Sequence, residues 1–128
     1  MKSKVFGFLV LLIAFSSCVK KATEGVEVVN VTTFEQKMKE PTAQLIDVRT
    51  SGEFAEGHIP NSVNIDVTGA DFEQKVAGLD KAQPVLVYCK MGGRSAKAAE
   101  KLKALGFTTI VDLDGGFSSW SGEGKPVE

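Results

Sequence analysis

Pro84 to Tyr88 forms an almost continuous apolar run, which as a strand requires cover on both faces. This run predicts the central strand of a sheet. Val26 to Val31, Gln44 to Val48, Ser62 to Ile65 and Thr108 to Leu113 read as four further strands. Helical spacing falls between them. Thr32 or Thr33 can cap a helix holding Phe34, Lys37 and Met38, closed by Pro41. Phe72, Val76 and Leu79 recur at helical intervals, and Ser95 to Leu105 places Ala98, Leu102 and Leu105 on one face, with Gly106 as the C-terminal cap. Gly52 to Asn61, with two Gly, a Pro and the charges Glu53 and Glu56, reads as a long loop. Phe117 and Trp120 read as packing residues, and Lys97, Lys101 and Lys103 as a solvated helix face. Strands alternating with helices predict an α/β fold, an open, mostly parallel five-stranded sheet with helices on both faces. Binding sites in such sheets lie beyond the carboxyl ends of the strands.

The N-terminus has a different pattern. Lys2 and Lys4 precede an uncharged apolar run from Val5 to Phe15, and Ser16 and Ser17 follow, the order of a secretory signal. As a helix that run would span about 16 Å, short of a hydrocarbon core of about 30 Å, so a permanent membrane span is the weaker reading. Phe15-Ser16-Ser17-Cys18 resembles the lipobox of bacterial lipoproteins, in which the Cys is lipidated after cleavage, although Phe15 stands where Leu is usual. The expected organisation is a signal peptide at 1–17, a lipidated Cys18 opening a tether at 18–25, and one domain at 26–128. That places the protein in the bacterial cell envelope, exported and lipid-anchored, facing the periplasm or the outer surface. Ordinary cleavage to a soluble secreted form is the alternative.

Composition narrows the chemistry. The 128 residues leave room for one domain, and 15 Lys plus Arg against 16 Asp plus Glu provide no broad basic face for nucleic acid. One His and two Cys lack the spacing of a structural zinc site, so neither metal nor cofactor is expected.

The informative segment is Cys89-Lys90-Met91-Gly92-Gly93-Arg94-Ser95, where the buried strand enters a short loop that opens an Ala-rich helix. Gly92 and Gly93 permit the dihedrals that turn successive N–H groups inward, and the unpaired N–H groups of the new helix point the same way. The helix dipole, with Lys90 and Arg94 nearby, favours a thiolate at Cys89 and makes it a candidate nucleophile. The alternative is a small buried hydrophobe at a strand end.

The chain resembles a single-domain rhodanese, a sulfurtransferase. The matching residues are Asp47-Val48-Arg49, Glu53-Phe54, the Gly57-His58-Ile59-Pro60 turn leading to Ser62-Val63-Asn64-Ile65, the loop from Cys89 to Ser95, and Gly115-Gly116 with Trp120. Asn61 stands where that family usually has Gly, and Asn tolerates a left-handed turn conformation. The resemblance implies a rhodanese-like sheet and a double displacement, in which Cys89 takes sulfur from a small anionic donor such as thiosulfate and passes it to a thiophilic acceptor. It implies that Lys90, Met91, Gly92, Gly93, Arg94 and Ser95 bind substrate, with Asp47 and Arg49 beside them. Arg94 has two readings, attraction of the donor or pairing with Asp47 or Glu53 to hold the loop. His58 reads as structural, bonded to a backbone group. Four residues separate Cys89 from Arg94, as in sulfurtransferases, whereas the related phosphatases use five. A phosphatase-like enzyme is the distant alternative, but no Asp is identifiable as the general acid it would need: Asp112 and Asp114 come soon after the helix, and turn and strand-end solvation is the simpler reading of both. The nearer alternative is a persulfide carrier with little small-molecule turnover. A monomer is expected.

Overall fold

The apolar run becomes strand β4 (Val85–Tyr88), and all four of its residues are buried. It occupies the middle of a five-stranded sheet with β1 (Val26–Val29), β2 (Gln44–Asp47), β3 (Val63–Asn64) and β5 (Ile110–Leu113), in the order β1-β5-β4-β2-β3. Every pairing is parallel. A computed structural model describes residues 24–128. The signal at 1–17, Cys18 and most of the tether therefore lie outside the described residues.

Side-chain alternation along the strands divides the core in two. On one face Ile46, Val85, Val87 and Ile110 pack against Phe72 and Val76 of α3 (Phe72–Val76) and Ala98, Ala99 and Leu102 of α4 (Gly93–Ala104). On the other, Leu86, Tyr88, Val111 and Leu113 meet Val31 and Phe34 of α1 (Val31–Met38) and Trp120 of α5 (Gly116–Gly122). The sheet expected from the sequence is thus present, with helices on both faces.

Three local expectations change. Helix α1 starts two or three residues earlier than expected, because Asn30, rather than Thr32 or Thr33, is the cap and accepts the Thr33 N–H at 2.9 Å. The segment read as a loop contains α2 (Ser51–Glu56), held by a capping box in which Thr50 accepts the Glu53 N–H and Glu53 accepts the Thr50 N–H. Helix α5, absent from the sequence reading, is anchored by Trp120, whose indole N–H donates to Pro126 O at 2.7 Å.

The turn after α2 lies where the motif places it. Asn61 has φ +67°, the left-handed conformation that Asn tolerates. His58 Nδ1 lies 2.9 Å from Phe54 O and its ring stacks on Phe54 at 3.7 Å, a structural placement. The buried Tyr88 hydroxyl accepts the Ile59 N–H at 3.1 Å and bonds Ser62 Oγ at 3.0 Å, which ties the turn to the central strand. Burial pushes the Tyr88 phenol well above its ordinary range, so it stays protonated.

Candidate active site

Cys89 follows β4 directly and is 1% exposed. The chain then crosses Lys90 and Met91 to Gly92, whose φ of +134° favours Gly, and enters α4. This bend brings the Gly92 N–H to 3.0 Å from Cys89 Sγ. The thiol lies 3.5 Å from Ser95 Oγ, and Ser95 in turn donates to Gly92 O at 3.1 Å. Because α4 begins at Gly93 rather than Ser95, the positive end of its dipole lies close behind the sulfur.

Helix α5 supports the loop from below. Phe117 N–H donates to Cys89 O at 2.8 Å and Ser118 N–H to Lys90 O at 3.0 Å. Gly116 (φ +55°) is where the two segments meet, and a Cβ there would collide with Cys89 O and stand 2.8 Å from the Lys90 carbonyl carbon. Backbone cannot yield as a side-chain tip can. Gly116→Ala is therefore expected to displace the loop and destabilise the fold by about 1–3 kcal/mol. Urea denaturation checks this, and a loss of less than a few tenths would contradict it.

Arg94 has its partner. Its Nη1 and Nη2 donate to Glu53 Oε1 and Oε2 at 2.6 and 2.9 Å, a bidentate pair that clamps α4 to α2. The guanidinium, helped by Thr50, holds the Glu53 carboxyl down at about 2. That contribution to stability is complete above the ordinary carboxylate range and is lost only as pH falls toward 2. Of the two partners open in the sequence, Glu53 is the one engaged. Asp47 instead pairs with Arg49, fully buried, with Nη2 2.6 Å from Oδ2 and Nε at 3.0 and 3.1 Å from the two oxygens. Arg49 also donates to Gly57 O at 2.7 Å and lies over the Phe117 ring at 4.4 Å.

Two clefts flank the loop. One, about 440 Å³, runs between α2 and α5 and is walled by Arg49, Glu53, Glu56, Lys90 and Phe117. The other, about 330 Å³, is bounded by Met91, Gly92, Gly93, Ala96 and Asp112. The loop residues expected to bind substrate are thus divided: Lys90 faces the first, Met91 to Gly93 the second, and the Arg94 guanidinium is engaged by Glu53. Met91 is 68% exposed at the crest.

Asp112 corrects an expectation. It is 4% exposed rather than solvated at a strand end, because it faces α4 from β5. Burial, with the charge of Asp114 adding, raises its carboxyl to about 6 although a hydrogen bond with Ser95 acts the other way. The unfolded carboxyl ionises lower, so the folded state binds the extra proton, and the stability this contributes falls away as pH rises toward and through 6. Among the described residues no cluster of His, Cys, Asp and Glu has the geometry to hold a metal ion. The sequence signals for what was missed are Thr50-x-x-Glu53, a capping box, and a lone Asp in the covered strand Ile110-Val111-Asp112-Leu113.

The comparisons agree with this geometry. The chain matches the uncharacterized protein YqhL of Bacillus subtilis at 41% identity over 65% of its own length and 64% of that protein's, a little under two thirds. It is 43% identical to the thiosulfate sulfurtransferase GlpE of Pseudomonas savastanoi, over 66% of this chain and 78% of that one. Among solved structures, a rhodanese-related protein from Thermoplasma volcanium superposes with a TM-score of 0.70 at 36% identity, covering 79% of this chain and 96% of the other. The model of the rhodanese-like domain matches residues 30–123, from the cap of α1 to just past α5. A parallel sheet that delivers a buried thiol into a glycine loop, and a match that spans nearly every element of it, have one conclusion: the chain belongs to the rhodanese-like domain family.

Proposed function

We propose that the protein is an exported sulfurtransferase that moves sulfane sulfur from a donor such as thiosulfate to a thiophilic acceptor through a persulfide on Cys89. The observation that carries the reading is the Cys89 thiol buried against the Gly92 N–H at the start of α4, a position that stabilises a sulfur anion. Relatives with a sulfurtransferase name support it. The thiolate attacks the outer sulfur of thiosulfate and a new S–S bond forms. The bond to the sulfonate sulfur breaks, and sulfite leaves with the electron pair. An acceptor nucleophile then takes the terminal sulfur and returns the Cys89 thiolate. Lys90, on the rim of the larger cleft, attracts the anionic donor.

One observation favours the carrier reading beside the enzyme. Met91 stands exposed on the loop two residues after the buried Cys89, where a partner protein would touch. Steady-state transfer from thiosulfate to a small thiol separates the two. Turnover of many sulfurs per Cys89 supports the enzyme, and a single loading without turnover supports the carrier.

Export and lipid anchoring at Cys18 belong to the same proposal and rest on the sequence of residues 1–18. In cells fed a labelled fatty acid, the full chain is expected to take up label and partition with membranes. Cys18→Ser is expected to do neither. Equal labelling of both would contradict the anchor.

A further inference from the structure

The residues after α5 cross the molecule as a strap. Lys125 N–H donates to Trp120 O at 3.3 Å, and the Trp120 indole N–H donates to Pro126 O at 2.7 Å. Lys125 Nζ reaches Glu35 of α1 at 3.2 Å. Glu128 and His58 exchange both backbone bonds, each N–H donating to the other's O at 2.9 Å, as in one rung of an antiparallel ladder. The segment 125–128 is thus pinned to α5 and α1 at one end and to the turn after α2 at the other. It lies beyond the residues matched to the family, which end at 123.

Val127 sits between the pins. Its side chain stands against Gly57, where an added Cβ would lie 3.2 Å from Val127 Cγ1 and 3.6 Å from the tip of the Phe117 ring. Val127 thereby walls the 440 Å³ cleft together with Gly57, Phe117 and Lys90. That cleft borders the reacting segment, since Lys90 follows Cys89 and the Phe117 N–H donates to Cys89 O. Its volume is that of a site for an organic molecule. Thiosulfate fills only a small part of it, and the surplus suits an organic acceptor.

We propose that Val127, held by this strap, is a specificity-determining residue that limits the bulk of the thiol to which Cys89 passes its sulfur. The inference rests on the proposed transfer through Cys89 and deepens it by naming the acceptor class, a compact anionic thiol. Its negative group lies toward Lys90 and its stem against Phe117 and Val127. The acceptor thiolate forms a bond to the terminal sulfur of the persulfide. The bond from that sulfur to Cys89 Sγ breaks, and the electron pair stays on Sγ.

The wall is stiff on both sides. Val127 is β-branched, so its rotamer is restricted, and the strap fixes the backbone before and after it. Opposite, Gly57 O accepts from the Arg49 guanidinium at 2.7 Å, and the Phe117 ring lies under the same guanidinium. Discrimination by one methylene in such a pocket is worth about 10–200-fold.

The test uses two acceptors that share a cysteine thiol and carboxylate and differ only in the acyl group, N-acetylcysteine and N-naphthoylcysteine. With thiosulfate saturating, sulfite release gives kcat/KM for each in the full chain. Val127→Ala is expected to raise the ratio of the bulky to the small acceptor by about tenfold, and Val127→Ile to lower it by about threefold. Opposite signs separate a wall from a loosened strap, which would shift both variants the same way. Trp120 is the one tryptophan of the chain and donates to the strap, so unchanged emission shows the strap seated. A red shift in Val127→Ala shows it lifted, which opens the cleft further, so the ratio is expected to rise there too. A ratio within twofold of the parent in Val127→Ala, or a rise in Val127→Ile, would overturn the proposal. Binding of the same two thiols to Cys89→Ser, with and without Val127→Ala, is measured by calorimetry and needs no transfer. A matching shift in the ratio of dissociation constants upholds the wall even where thiosulfate leaves no sulfur on Cys89 and the transfer reading fails.

Discussion

Cys89→Ser is expected to lower sulfur transfer by roughly a thousandfold or more while the protein stays folded. The serine hydroxyl has the same connectivity as the thiol, is smaller than it, and can still accept from the Gly92 N–H, so the loop is expected to retain its shape. What it loses is chemistry. A hydroxyl is un-ionised at neutral pH and, unlike sulfur, does not hold a transferable sulfane sulfur as a persulfide. Kinetics with thiosulfate and cyanide check the loss, and circular dichroism checks the fold. A variant within tenfold of the parent would remove Cys89 from the reaction.

The second large effect is on stability. Arg49→Met is expected to cost about 3–5 kcal/mol, because it leaves Asp47 buried and without its cation. Asp47 is fully buried, and the Arg49 guanidinium meets both its oxygens and Gly57 O. The methionine stem keeps much of the contact with Phe117, which isolates the charge from the packing. The double variant Asp47→Asn, Arg49→Met is expected to recover part of the loss, since no unpaired charge remains. Urea denaturation measures both. A single variant within 1 kcal/mol of the parent, on the order of one neutral hydrogen bond, would show the pair to be dispensable.

Particular elements show how much could be read without coordinates. The central strand was legible because an unbroken apolar run has no polar face to expose, and α4 because Ala98 and Leu102 recur at helical spacing. Helix α2 was concealed by Gly52 and Gly57, which speak for a loop, while its capping box speaks for a helix and prevails. Helix α5 begins at two glycines and contains three serines, so local propensity argued against it, and tertiary contact through Trp120 overrides that. Around the site, the position of Cys89 at the carboxyl end of the central strand followed from topology. The partner of Arg94 did not, because Asp47 and Glu53 are equally available in sequence. Only the fold shows that Arg49 engages the first and leaves the second. Asp112 was misread for a related reason: a carboxylate near a strand end is ordinarily solvated, and its burial depends on how far α4 extends over β5.

The most direct measurement is the intact mass of the full chain after incubation with thiosulfate, beside Cys89→Ser treated in the same way. The persulfide reading predicts a gain of about 32 Da, one sulfur, in the parent, reversed by cyanide and absent from the variant. An unchanged mass in the folded parent, or the same gain in Cys89→Ser, would contradict it.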